Sequence, residues 1–170
     1  MVIFLCGFMG CGKSTVGKEL AKLMGTKFVD MDIYIETKEG MSIPEIFAQK
    51  GEPYFRKVEA ETVVELSKGN AIVGCGGGAM LNTTSAEVGR KSGQVIFLDV
   101  PFNVCYKRIK GDTNRPIVMN NSKEQLQDIF NQRHEIYQAN SSFKVDVNAE
   151  VSPFENARTI NSLVKLLCKW

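Results

Sequence analysis

Neither sign of charge is in useful excess in this chain: 21 lysines and arginines face 19 aspartates and glutamates, a net charge of +2 over 170 residues. That balance gives no broad field for tracking nucleic-acid phosphates or holding an anionic membrane, so any anion site has to be local. Also missing is a C-x-x-C pair. The five cysteines, Cys6, Cys11, Cys75, Cys105 and Cys168, form an odd count without paired spacing. This argues against a disulfide framework and a zinc site and fits free thiols in a reducing cytoplasm. The apolar start Val2 to Met9 has no basic residue before it and is ended by Lys13, so it reads as mature structure rather than a leader. No other stretch approaches the length of a membrane span, and there is no internal repeat, low-complexity tract or linker.

What is present suffices for a core. With 44% hydrophobic residues, a chain of this size buries roughly 70% of its unfolded surface, so a single domain over residues 1–170 is expected. Val2 to Cys6 is a continuous apolar run, the pattern of a strand covered on both faces. Val16, Leu20, Leu23 and Met24 then recur at helical spacing, and Gly25 stands where a left-handed cap belongs. Further strands are expected at Thr26 to Asp30, Ala71 to Val73, Gln94 to Leu98 and Phe143 to Val147, separated by helical periodicity, so the fold class is α/β. Pro44, Pro53, Pro101 and Pro153 each fall near a helix start, where a missing N–H costs nothing. Lys110 to Asn121 has neither period, and at about a dozen residues it is long enough to suspect a lid, with an ordinary surface loop as the alternative.

Between the first strand and helix, Gly7, Gly12, Lys13 and Ser14 match G-x-x-x-x-G-K-S/T without a gap. Glycines there let main-chain N–H groups turn inward around phosphate oxygens, and the helix N-terminus adds partial positive charge. Lys13 reaches the outer phosphates, and Ser14 offers a hydroxyl to Mg²⁺. A dinucleotide fingerprint is excluded, because Thr15 stands where a third glycine is required.

FVDMD places Asp30 and Asp32 at the end of the second strand, where a spacing of two residues in extended chain directs both carboxylates to one side. Beyond the carboxyl ends of an open α/β sheet they face the cradle. One suits the water shell of Mg²⁺ and the other an acceptor hydroxyl, unless Asp32 caps the next helix. Asp99, ending VIFLD, competes with Asp30 for the metal, although its place before Pro101 also suits a cap.

From a Ser122 to Gln125 capping box, Leu126, Ile129, Phe130, Arg133, Ile136 and Tyr137 share one helix face. A guanidinium on an apolar stripe requires a partner, either a protein carboxylate or an anionic ligand. Arg56, beside the stripe Phe55, Val58 and Thr62, reads by itself as a solvated arginine pairing with Glu52 or Glu59. Cys75-Gly76-Gly77-Gly78 permits close approach of main chain to a ligand, or a tight turn. His134, the sole histidine, falls on a mostly polar face and is assigned no role. The cysteines read as core fillers.

Taken together, GFMGCGKST, FVDMD, the arginine of FRKVE, GCGGG, the RP of the lid and the arginine of QRHEIY resemble the shikimate kinases, in order and spacing along nearly the whole chain. The resemblance implies a P-loop three-layer sandwich with a five-stranded parallel sheet, nucleoside-monophosphate-kinase-like. It also implies a shikimate-binding helical region at about 31–60, a lid at about 110–121, a monomer, and a cytoplasmic enzyme of aromatic amino acid biosynthesis. The implied reaction moves the γ-phosphoryl group of ATP to the 3-hydroxyl of shikimate, giving shikimate 3-phosphate and ADP, with Mg²⁺ as cofactor. By the same resemblance Gly10, Cys11, Gly12, Lys13, Ser14, Thr15, Arg108 and Arg115 meet the nucleotide, and Ser14 and Asp30 support the metal. Lys13, Asp32 and Arg115 are implied to carry catalysis. Arg56 and Arg133 grip the shikimate carboxylate, Gly77 and Gly78 contact shikimate by main chain, and Phe47 and Phe55 pack on its ring beside Asp32. Two departures are Cys75, where the family often has Ser or Thr, and Cys11 at a variable cradle position. A kinase for another hydroxy-acid such as gluconate would share the cradle and lid. A nucleotide-binding module that transfers nothing is disfavoured by Lys13, Arg115 and the two aspartates.

Overall fold

A computed structural model describes residues 1–113 and 115–167; Asn114 of the expected lid and Cys168 among the expected thiols lie outside the described residues. The chain runs β1 (Val2–Cys6), α1 (Lys13–Leu23), β2 (Lys27–Asp30), α2 (Met31–Glu39), α3 (Ile43–Lys50), α4 (Glu52–Leu66) and β3 (Ala71–Gly74). After a 3-10 turn at Ala79–Leu81 come α5 (Thr83–Ser92), β4 (Gly93–Asp99), α6 (Phe102–Ile109), α7 (Pro116–Met119), α8 (Lys123–Asn140), β5 (Phe143–Asp146) and α9 (Pro153–Leu167).

The strands form one parallel sheet in the order β2-β3-β1-β4-β5. Because side chains alternate along a strand, the apolar run of β1 serves two cores at once. Ile3 and Leu5 join Ile72, Ile96 and Leu98 under α1 and α9, through Val16, Leu20, Ile160 and Val164. Val2, Phe4 and Cys6 join Val73, Val95 and Phe97 under α4 and α5, through Val58, Val63 and Ala86. A sheet with helices on both faces is the expected three-layer sandwich. From β1 the chain goes first to one edge and later to the other, so the crevice for a ligand lies beyond the carboxyl end of β1.

Local chemistry sets the helix ends. Gly25 takes φ +63° directly after α1, and α8 opens on the Ser122–Gln125 capping box. Four details differ from expectation. Chain extension stops at Asp30, so Asp32 sits in the first turn of α2 rather than two residues along a strand. It is Asp30, not Asp32, that caps α2, accepting from the N–H groups of Asp32 and Ile33. Within Lys110 to Asn121 there is a short helix, Pro116–Met119, started by a proline at its first position. On α8, Ile136 points outward and is 39% exposed, because the stripe rotates toward His134 and Tyr137.

Candidate active site

Beyond β1 the chain turns through Gly10 at φ +78° and Gly12 at φ +92° before α1 begins. A Cβ at Gly10 would stand 2.8 Å from Ile109 Cγ2 and 2.9 Å from the Cys105 carbonyl oxygen, so only glycine passes there. Gly12 is the N-cap of α1 and brings no side-chain cap, and no acid occupies the first turn. The N–H groups at this end are therefore open to an external anion. Lys13 lies folded over the loop, its Nζ donating to the carbonyls of Gly7 at 2.8 Å and Phe8 at 3.1 Å, with Cys11 Sγ at 3.6 Å. Arg108 reaches back from α6 and donates to the Gly10 carbonyl at 2.8 Å. Ser14 and Thr15, the next two residues of the first turn, are exposed.

Ser14 Oγ donates to Asp30 Oδ2 at 3.0 Å. Since Asp30 Oδ1 caps α2, a single carboxylate oxygen and one hydroxyl face the cradle mouth. Among the described residues no cluster of three or more histidine, cysteine or acidic side chains could hold a metal ion. The Ser14 hydroxyl and the Asp30 carboxylate oxygen suit Mg²⁺, which takes one or two protein oxygens plus phosphate and water. Asp99, the rival ligand, is committed elsewhere: Oδ2 accepts from His134 Nε2 and Lys144 Nζ, each at 3.0 Å. These two bonds hold the Asp99 carboxyl below the usual range against the opposing pull of burial.

The glycine run after β3 is where four charges meet. A Cβ at Gly76 would stand 2.6 Å from Asp32 Oδ1 and 3.2 Å from Glu59 Oε1, and one at Gly77 would stand 3.5 Å from an Arg133 terminal nitrogen. At Gly78 it would displace the Arg56 guanidinium. Glycines are needed here because side chains from α2, α4 and α8 close over the main chain. Arg56 donates to Glu59 Oε2 at 2.8 Å and to Glu52 Oε1 at 3.2 and 3.3 Å, so the carboxylate partners read from the sequence are both present. Its guanidinium also lies 5.3 Å over the Phe55 ring, and Phe47 packs 4.8 Å from Phe55 between ring centroids. Arg133, half-buried, makes no ion pair among the described residues, while Arg56 holds two.

Burial raises the Asp32 carboxyl above its ordinary pKa and the charge of Asp30 adds to this, with Lys13 and Arg115 pulling it down. Arg115 itself is exposed and donates to Asp112 Oδ2 at 2.8 Å. Burial likewise raises Glu59, with Arg56 pulling it down. Three of the thiols are poor nucleophiles: burial pushes Cys6 and Cys105 up to about 12, and Cys75 well above its ordinary value.

Three residues carry more than sequence reasoning assigned them. Glu59 is 4% exposed, and its spacing from Phe55, Val58 and Thr62 already put an acid on the buried stripe of α4. His134, expected on a polar face, is half-buried against Phe97 and Phe130 at 5.2 and 5.8 Å between ring centroids. Tyr137 is buried and donates its hydroxyl to the Gly77 carbonyl, a contact no pattern in the sequence signals.

The family model for shikimate kinase matches residues 9–165. The chain belongs to the shikimate kinase family. A shikimate kinase of Persephonella marina is 40% identical over 154 residues, covering 90% of this chain and 92% of that protein. Among solved structures, a shikimate kinase from Acinetobacter baumannii in complex with shikimate has a TM-score of 0.88 at 34% identity, covering 99% of this chain and 93% of that one. The Aquifex aeolicus shikimate kinase has a TM-score of 0.84 at 36% identity, covering 99% and 98% of the two chains. The family's nucleotide co-substrate is ATP, and no helix among the described residues is long and apolar enough to cross a membrane.

Proposed function

We propose that this chain transfers the γ-phosphoryl group of ATP to the 3-hydroxyl of shikimate, releasing shikimate 3-phosphate and ADP. The observation that carries the reading is the meeting of Asp32, Glu59, Arg56 and Arg133 over the glycine run beside an open phosphate cradle. ATP phosphates lie against the main-chain N–H groups from Gly10 to Thr15, where Lys13 exchanges its loop carbonyls for phosphate oxygens and Arg108 flanks the nucleotide. Shikimate lies over Gly77 and Gly78 with its ring against Phe47 and Phe55. Its carboxylate satisfies Arg133, and Arg56 joins from its pair with Glu59, each by a planar fork suited to two parallel hydrogen bonds.

Asp32 holds the acceptor hydroxyl. Its raised pKa makes it a better proton acceptor than an ordinary carboxylate. Arg115 moves with the lid of residues 110–121 to set its charge against the transferring group, and the helical region 31–60 closes on shikimate. Ser14 and Asp30 would hold Mg²⁺, directly or through its water shell, and the bound ion would supply positive charge that offsets the charge of transfer. The enzyme works as a monomer in the cytoplasm, a reducing compartment that suits the free cysteines among the described residues.

ADP release measured with ATP and Mg²⁺ against shikimate, gluconate and nucleoside monophosphates tests the assignment. Turnover is expected with shikimate alone. Equal turnover without it, or preference for another acceptor, would overturn the substrate.

A further inference from the structure

Arg133 and the glycine run belong to different parts of the chain, yet they have to hold one small acid at a fixed separation. Three glycines in succession supply no rigidity of their own, since each has an unusually wide range of accessible backbone angles. One side chain meets both parts. Tyr137 lies one helical turn after Arg133 on α8 and is 1% exposed. Its hydroxyl donates to the Gly77 carbonyl, and a terminal nitrogen of Arg133 stands 3.5 Å from where a Cβ on Gly77 would be. The ring is fixed against Phe97, 5.5 Å between centroids. Burial raises the hydroxyl's pKa far beyond any working pH, so it remains a donor.

Other bonds tie α8 to the 3-10 turn and to β4 without touching either part. Asn140 donates to the Met80 carbonyl at 2.9 Å, and His134 pairs with Asp99. They hold the helix down, whereas Tyr137 bonds the glycine main chain directly beside the Arg133 guanidinium.

We infer that Tyr137 is a positioning residue that sets the Arg133 guanidinium and the Gly77 main chain at one separation and thereby determines affinity for the acceptor carboxylate. This rests on the reading that Arg133 and the glycine run hold shikimate. When the tie is cut, the Gly77 peptide and the guanidinium move independently, and binding has to restrict both.

Tyr137→Phe keeps the ring and removes one hydroxyl, so the fold is retained. The expected result is a KM for shikimate raised about tenfold, with kcat and the KM for ATP within about twofold of wild type. Asn140→Ala removes the neighbouring tie from the same helix to the same segment and is expected to lower Tm while leaving the shikimate KM within about twofold. An unchanged shikimate KM in Tyr137→Phe would overturn the inference. So would parallel rises of both KM values in the two variants, which mark a merely structural role. Arg133→Ala separates the two levels of the argument. If it raises the shikimate KM while Tyr137→Phe is silent, only the tyrosine's role is lost; if it too is silent, the carboxylate reading fails with it.

Discussion

In the cradle, the consecutive residues from Gly7 to Thr15 offer main-chain N–H groups at the end of one helix, and Lys13 rests on carbonyls of its own loop. The neighbouring pocket takes Asp32 from α2, Arg56 and Glu59 from α4, Gly76 to Gly78 from beyond β3 and Arg133 from α8. Dipoles in the cradle are met by water until an anion arrives, at little cost. The pocket holds Asp32, Arg56 and Arg133 half-buried and Glu59 buried before any substrate binds. One region is therefore a local motif that any strand–loop–helix unit can carry, and the other exists only once the whole sheet has assembled.

The sharpest way to break this comparison is to remove Arg115, the arginine proposed to act on the transferring group from outside both regions. Arg115→Ala is expected to lower kcat by about 10³ or more, the scale for an arginine acting on a transferring phosphoryl group. Equilibrium binding of shikimate, measured separately, should change by less than about threefold. Unchanged turnover would remove the lid residue from the chemistry.

A smaller effect distinguishes the two pockets from each other. Arg133→Lys keeps the charge and loses the planar fork, and one charge-assisted hydrogen bond is worth about 1.5–3 kcal/mol. The KM for shikimate should rise roughly 10- to 100-fold, while that for ATP stays within about twofold. Equal rises in both would mean that the arginine supports the cradle as well, and the division into two independent regions would be wrong.

The same division decides what could be read from the sequence. The cradle was legible because its residues are contiguous and its geometry follows from glycine positions, strand and helix in a single stretch. The α/β class and the strands were legible from uninterrupted apolar runs such as Val2 to Cys6. Arg133 announced itself as a charge on an apolar stripe, but whether a protein carboxylate or a ligand answered it depended on what α4 and α2 bring opposite, which no local pattern contains. Glu59 gave the same signal more faintly. The spacing of Asp30 and Asp32 misled, because a side chain accepting two N–H groups turned the strand into a helix between them. His134 was placed on a polar face because its partners, Asp99 and Phe97, come from a distant strand. The joint between Tyr137 and Gly77 spans 60 residues and is set by tertiary packing alone.

The smallest predicted effect tests the claim that the pocket is under electrostatic load in the free protein. Burial and the charge of Asp30 raise the Asp32 carboxyl above its unfolded pKa. Between the unfolded and folded values the native protein keeps a proton that the unfolded chain has released, so this group favours folding at low pH and the benefit is lost as pH rises through the folded value. At neutral pH its ionisation therefore subtracts from stability. Asp32→Asn, although expected to impair turnover, should raise Tm at pH 7.5 by about 1–3 °C, and the gain should shrink toward pH 4 as the wild-type carboxyl protonates. Glu59→Gln is the counterpart in the same pocket. Burial raises that carboxyl too, but its removal takes from Arg56 the partner at 2.8 Å, so no gain is expected and Tm should fall. Thermal unfolding of both variants across pH 4 to 8 checks the pair. A Tm for Asp32→Asn below wild type at pH 7.5 would show that the pocket's charges compensate one another before substrate binds, and the contrast with the cradle would be lost.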